Sequence, residues 1–247
     1  MTWRMKKLLF AFTFAVSAFL TISAEAENTA TIPAPSPMPT NWMSLHKSFV
    51  ARAKQGGVDL LFLGDSITAG WQWTGWGLNI WNKDYAPLHA ADFGIGYNRT
   101  QNVLWQIDHG ELEGIHPKVV VLLIGTNNMG NEDNGKPRNS LPEIVEGVTA
   151  IVNNVRVKLP QSKLLLIGVF PRGHKDDPIR EQVKELNSQI AKLAGGKMIQ
   201  FLDINPKLIA PDGSISENFR PDFLHPKAQG YQIWADAMQP ALDEMMK

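Results

Sequence analysis

Three uninterrupted apolar runs constrain what this chain can fold into. VDLLFLG (58–64), VVVLLIG (119–125) and KLLLIGVF (163–170) are dominated by Val, Leu and Ile and lack the apolar–polar alternation of a half-exposed strand. Segments of this length and pattern fit strands buried on both faces. HAADFG (89–94) and MIQFLD (198–203) are weaker candidates for the same role. Between the runs lie helical periods. The clearest starts at Ser140, where Ser140 and Glu143 have capping-box spacing and Pro142 falls in the first turn. Its apolar positions, from Leu141 through Ile144, Val148, Ile151 and Val155 to Leu159, form one stripe before Pro160 ends it. Two more helices are expected over 177–194 and 226–246. Strands alternating with helices imply a mostly parallel sheet covered on both faces, and no internal repeat is present. In such sheets, chemistry gathers just beyond the carboxyl ends of the strands.

The N-terminus reads as an address rather than as structure. Arg4, Lys6 and Lys7 precede a charge-free apolar run over 8–20, and Ala24-Glu25-Ala26 supplies the small-x-small cleavage pattern. Residues 1–26 are therefore expected to be a signal peptide, with an exported mature protein (periplasmic or secreted) and no membrane insertion after cleavage. Residues 27–41 are rich in Pro and read as an extended leader into a single domain over 42–247. With 24 Lys and Arg against 24 Asp and Glu, no basic surface marks nucleic acid as a partner. The absence of cysteine excludes disulfides, zinc–thiolate sites and a cysteine nucleophile.

The ends of the apolar runs carry reactive residues. Gly64-Asp65-Ser66 follows the first, at a strand-to-helix turn that would expose a serine hydroxyl beside helix N–H groups. Gly125-Thr126-Asn127 ends and follows the second, where the Asn127 amide could donate to an oxyanion. Asp222 stands three residues before His225, close enough to orient the ring and leave Nε2 free to take a proton. Each signal has a plainer reading alone: a capped turn, a polar loop, a helix-leading loop. Together, in the order Ser, Asn, Asp, His and at the expected sheet edge, they point to acyl transfer through a serine.

The chain resembles the SGNH (GDSL-type) hydrolases, and within them the catalytic subunits of platelet-activating-factor acetylhydrolase Ib and their bacterial relatives. The resemblance rests on LLFLGDSITAGW (60–71), residues 91–128, VFPRG (169–173) and DFLHPKAQGY (222–231). It implies a flavodoxin-like three-layer α/β/α sandwich with a five-stranded sheet, a mechanism without metal or cofactor, and carboxylic-ester substrates. Carried over residue by residue, Ser66 is the nucleophile, His225 the base and Asp222 its orienting carboxylate. The oxyanion hole draws on the Ser66 N–H, the Asn127 side chain and a backbone N–H at Tyr97. Here the chain departs from the family, which has glycine at the Tyr97 position; Gly96 immediately precedes it. Asp65, Gly96, Trp71 and Trp73 are further candidates for substrate contact, and Trp81 and Trp105 for core packing. His174 is a rival base, and Arg99 fits either a substrate contact or a surface ion pair.

The implied activity is removal of short acyl groups, acetyl above all, from a small-molecule or carbohydrate ester. Two alternatives stay open: a lysophospholipase or longer-chain lipase, which needs an open apolar groove, and a non-catalytic carbohydrate-binding relative. Tryptophans and Tyr97 around the serine suggest a tight site.

Overall fold

The computed structural model describes residues 27–215 and 217–247; the expected signal peptide lies outside them. Five strands form one sheet: β1 (Leu60–Gly64), β2 (Ala90–Asp92), β3 (Val119–Leu123), β4 (Lys163–Ile167) and β5 (Ile199–Leu202). Their order is β2-β1-β3-β4-β5 and every pairing is parallel, the arrangement of a flavodoxin-like α/β fold. The two central strands β1 and β3 are buried at every position, which is why they read as unbroken apolar runs. At the edge, β5 is only half-buried, and its sequence signal is correspondingly weaker.

Strand pleating sends alternate residues to opposite faces. Leu61, Leu63, Val120, Leu122, Leu164 and Leu166 face one core, against Ile144, Val148, Ile151 and Val155 of the long helix Leu141–Lys158. The expected capping box closes that helix at Ser140 and Glu143. Leu60, Phe62, Val119, Val121 and Leu165 face the other core, against Trp71, Trp81, Tyr231, Trp234 and Met238. Each fully buried side chain of this kind contributes about 1.5–3 kcal/mol, so both faces hold the sheet in place.

In chain order the helices that shape the site are α1 (Trp42–Lys54), α2 (Ser66–Ala69), α3 (Thr100–Gln106), α4 (Leu141–Lys158), α5 (Ile179–Ile190) and α6 (Ala228–Met245). The last three match the expected periods. Residues 27–41 do not form a free leader. Ala30 is fully buried, and its carbonyl accepts a hydrogen bond from Thr100 Oγ1 at 2.8 Å. Ala34 exchanges hydrogen bonds with Gln101 and Asn102 of α3. A proline-rich segment pairs polar backbone groups with a neighbouring helix, and so becomes part of the domain.

Candidate active site

The turn after β1 is built for close approach. A Cβ at Gly64 would come within 2.4 Å of the Leu123 carbonyl and 2.1 Å of Thr68 Oγ1, so only glycine fits. Asp65 then turns the chain and caps α2, accepting the Ile67 N–H at 2.9 Å. Ser66 is the first residue of α2, and the N–H of a first-turn residue has no acceptor within its own helix. On the other side, Tyr231 of α6 donates its hydroxyl to the Ile67 carbonyl at 2.7 Å, tying the serine turn to the last helix.

That last helix follows the loop that carries His225. Phe223 adopts a left-handed conformation (φ 50°), which folds Asp222 back onto the residues after it. Asp222 Oδ1 accepts the N–H groups of Leu224 and His225, each at 3.0 Å, while Oδ2 meets His225 Nδ1 at 2.8 Å. Partial burial pushes the Asp222 carboxyl up, but the N–H and ring of His225 and the N–H of Leu224 outweigh it and hold the pKa below the usual value. The opposite nitrogen, His225 Nε2, lies 2.8 Å from Ser66 Oγ. The Trp76 ring packs against the imidazole with centroids 5.3 Å apart, and Arg220 covers Trp76.

Across the serine, Gly125 (φ 125°) turns the chain out of β3 into the short helical turn Thr126–Asn128. Asn127 Nδ2 donates to the Asn98 carbonyl at 3.0 Å, which uses one of its two protons. Tyr97 has φ 66°, a region that side chains rarely adopt, and its ring is 60% exposed. The tyrosine thus keeps a glycine-like backbone at the position where it departs from the family pattern. Asn127, Gly96, Tyr97, Ser66 and His225 all line one cavity of about 540 Å³.

Several expectations need correction. Trp71 is not a substrate contact: it is fully buried between Phe62, Tyr85, Tyr231 and Trp234. Asp65 is also buried, as a helix cap; burial raises its pKa to about 7, against the opposing pull of the Ile67 N–H and the Arg172 charge. The site is not tight. The Tyr97 ring points outward, and Leu45 and Phe49 of α1 with Ile95 and Trp73 make the cavity wall largely apolar. Trp73 and Gly96 line it. His174 is exposed and rests on Phe223. Arg99 pairs with Glu132. Trp81 is core, whereas Trp105 is only half-buried, stacked on His109. Leu45, Phe49, Pro39 and Asn41 were not readable as site residues, because nothing in residues 39–49 marks an approach to a serine so distant in sequence. Among the described residues, no group of three His, Asp or Glu side chains is placed to hold a metal ion.

A 2-1-3-4-5 parallel sheet with a Ser–His–Asp array at its carboxyl edge defines an α/β protein with the layout of a hydrolase. Residues 62–233 match the GDSL-like lipase/acylhydrolase family, and the chain belongs to that family. It is 39% identical over 191 residues to human platelet-activating factor acetylhydrolase IB subunit alpha1, covering 77% of this chain and 78% of the relative. The fold is shared with a GDSL-like lipase from Bacteroides thetaiotaomicron (TM-score 0.61, 16% identity, 81% of this chain and 97% of the other). It is also shared with an acetyl-xylooligosaccharide esterase from Geobacillus stearothermophilus (TM-score 0.58, 21% identity, 77% and 94%).

Proposed function

We propose that this acylhydrolase is a serine esterase that removes short acyl groups, acetyl above all, from a carbohydrate alcohol. The observation that carries the reading is the continuous hydrogen-bonded line from Ser66 Oγ through His225 to Asp222, 2.8 Å at each step. Ser66 Oγ attacks the ester carbonyl while His225 Nε2 takes its proton, and Asp222 steadies the imidazolium that forms. The free proton of the Asn127 amide and the N–H groups of Ser66 and Tyr97 receive the oxyanion. The alcohol leaves with the proton from His225. Water, activated by the same ring, then attacks the acyl-enzyme, returns its proton to Ser66 and releases the acid.

The names of the relatives support the acetyl preference, since both an acetylhydrolase and an acetyl-xylooligosaccharide esterase are among them. The exposed faces of Trp73 and Tyr97 at the rim support a sugar, whose C–H faces stack on aromatic rings. Export, resting on the pattern of residues 1–26, would put the enzyme among extracellular or envelope polysaccharides. One observation favours a second reading: the wall formed by Leu45, Phe49 and Ile95 suits a longer acyl chain. Hydrolysis of p-nitrophenyl esters from acetyl to octanoyl separates the two. Acetyl cleaved fastest supports the first reading, and octanoyl cleaved fastest replaces it with the second. Turnover equal to that of Ser66→Ala at every chain length would remove both.

A further inference from the structure

Behind the Tyr97–Asn98 loop runs a string of buried polar side chains that the chemistry above does not use. Trp42 Nε1 donates to Asn98 Oδ1 at 2.7 Å. Asn98 Nδ2 spends its two protons on the Gly64 carbonyl at 3.0 Å and on Gln106 Oε1 at 2.5 Å. Gln106 Nε2 in turn reaches both Glu111 oxygens, at 2.8 and 3.0 Å, and His46 Nδ1 lies 2.8 Å from Glu111 Oε1. All five residues are at most 5% exposed. The string has a direction. An indole can only donate and a backbone carbonyl can only accept, so exchanging the O and N of Asn98 would set donor against donor at Trp42 and acceptor against acceptor at Gly64. The Asn98 side chain is therefore locked in one orientation, and the backbone carbonyl of the same residue is the group that accepts Asn127 Nδ2.

The lock explains two features of the site. Left-handed backbone is strained for an L-residue and persists where its surroundings over-determine it. Asn98, fixed on three sides, supplies that constraint to the neighbouring Tyr97. The same carbonyl aims Asn127, leaving its second proton toward the cavity. Two of the anchors, Trp42 and His46, stand on α1, ahead of residues 62–233 that match the family. We propose that Asn98 is a positioning residue of the oxyanion hole, held by Trp42 and by the Gln106–Glu111–His46 string, and acting through the Asn127 amide. The proposal rests on the esterase reading above.

The test is a double-mutant cycle on p-nitrophenyl acetate hydrolysis by the full chain. Asn127→Ala is expected to lower kcat about 100- to 1000-fold, the usual cost of one oxyanion donor. Asn98→Ala lowers kcat about 10- to 100-fold with KM held within about twofold, yet costs less than about threefold once Asn127 is already Ala. Trp42→Phe keeps the packed ring and removes only the donor; it lowers kcat about three- to tenfold, and that loss too disappears beside Asn127→Ala. Losses of equal size in both backgrounds would reduce Asn98 to a support of the fold and overturn the proposal. If Asn98→Ala does not fold, the Trp42→Phe cycle decides alone. Wild-type turnover abolished by Ser66→Ala secures the esterase reading separately, so a failed cycle then counts against Asn98 only. Absence of wild-type turnover overturns both.

Discussion

Tyr97 and Asn127 stand between two hollows of similar size and opposite character. On one side is the cavity of about 540 Å³ walled by Leu45, Phe49, Ile95 and Trp73. On the other is a groove of about 520 Å³, bounded by residues 34–38 and by Arg99, Gln101, Asn102, Glu132 and Arg138. Their acids respond to these surroundings in opposite directions. Asp92 lines the apolar hollow with a buried Oδ2 that has no hydrogen bond among the described residues. Burial drives its pKa well up, against the pull of the Gly94 N–H and Gln72. Glu132 in the polar groove is held down, first by its hydrogen bonds from Arg99 and then by the charges of Arg99 and Arg138. Apolar walls bind by removing surface from water, whereas the groove offers groups already paired with one another. A two-carbon acyl group leaves most of the apolar hollow empty. Under the acetyl reading that space receives part of the alcohol, with Trp73 as its stacking face; under the longer-chain reading it receives the acyl chain.

The largest expected effect removes the serine that lines the apolar hollow. Ser66→Ala should lower kcat by at least about 10⁴-fold on every ester while leaving the thermal transition in place. An equal loss across chain lengths shows that one nucleophile serves every ester. A loss confined to some esters would mean that another group reacts.

Next comes the buried acid below the serine. Asp65 has its pKa raised to about 7, so the folded chain keeps a proton that the unfolded chain releases near 3.8. Its stabilising contribution is complete below pH 3.8 and is lost as pH rises through about 7. The shift of roughly three units corresponds to about 4 kcal/mol. Asp65→Asn keeps a capping oxygen and has no proton to lose. Urea unfolding from pH 4 to 8 should therefore show wild type falling relative to Asp65→Asn by up to this amount. Parallel curves would mean that Asp65 ionises normally.

A smaller effect sorts the hollows by occupant. Leu45→Ala should leave the acetyl-to-octanoyl preference on p-nitrophenyl esters within about twofold of wild type, and raise KM for an acetylated glycoside. A selective loss of about fivefold on octanoyl, the worth of about 1 kcal/mol of lost apolar contact, would hand the hollow to the acyl chain.

How much of this was legible differs between the two sides of the serine for physical reasons. The strands declare themselves because a strand buried on both faces must be apolar throughout, as β1 and β3 are. Ser66, Asp222 and His225 declare themselves because each sits in a local motif, a strand-to-helix turn for the serine and a three-residue fold-back for Asp222 and His225, although the serine and the histidine meet from 159 residues apart. The side proposed to receive the oxyanion is assembled from distance. Asn98 depends on Trp42, 56 residues away, and Leu45 reaches the cavity from α1, a separate helix ahead of the serine turn. Trp71 and Trp73, two residues apart, fall one in the core and one on the rim, because the short turn over Gly70–Gln72 swings the chain between them. Composition treats the two tryptophans alike.

The smallest expected effect lies on the wall between the hollows. Tyr97 holds a left-handed backbone that costs about 1–2 kcal/mol, while glycine there would cost about 0.5–1 kcal/mol of extra chain entropy. The ring is mostly exposed, so little packing is lost with it. Tyr97→Gly should therefore raise stability by about 0.5–1 kcal/mol, or roughly 1–4 °C in Tm for a chain of this size. Its N–H survives the change, so kcat on p-nitrophenyl acetate should stay within about threefold of wild type, a far smaller change than loss of a donor brings. KM for an acetylated oligosaccharide should rise if the ring is a stacking face. A stabler variant with weaker sugar binding would mean that the strain is kept for the ring's sake. Unchanged binding would leave Tyr97 a partition between the hollows and no more. A large fall in kcat would mean that the strained backbone itself aims the donor, which glycine, free to adopt other conformations, no longer does.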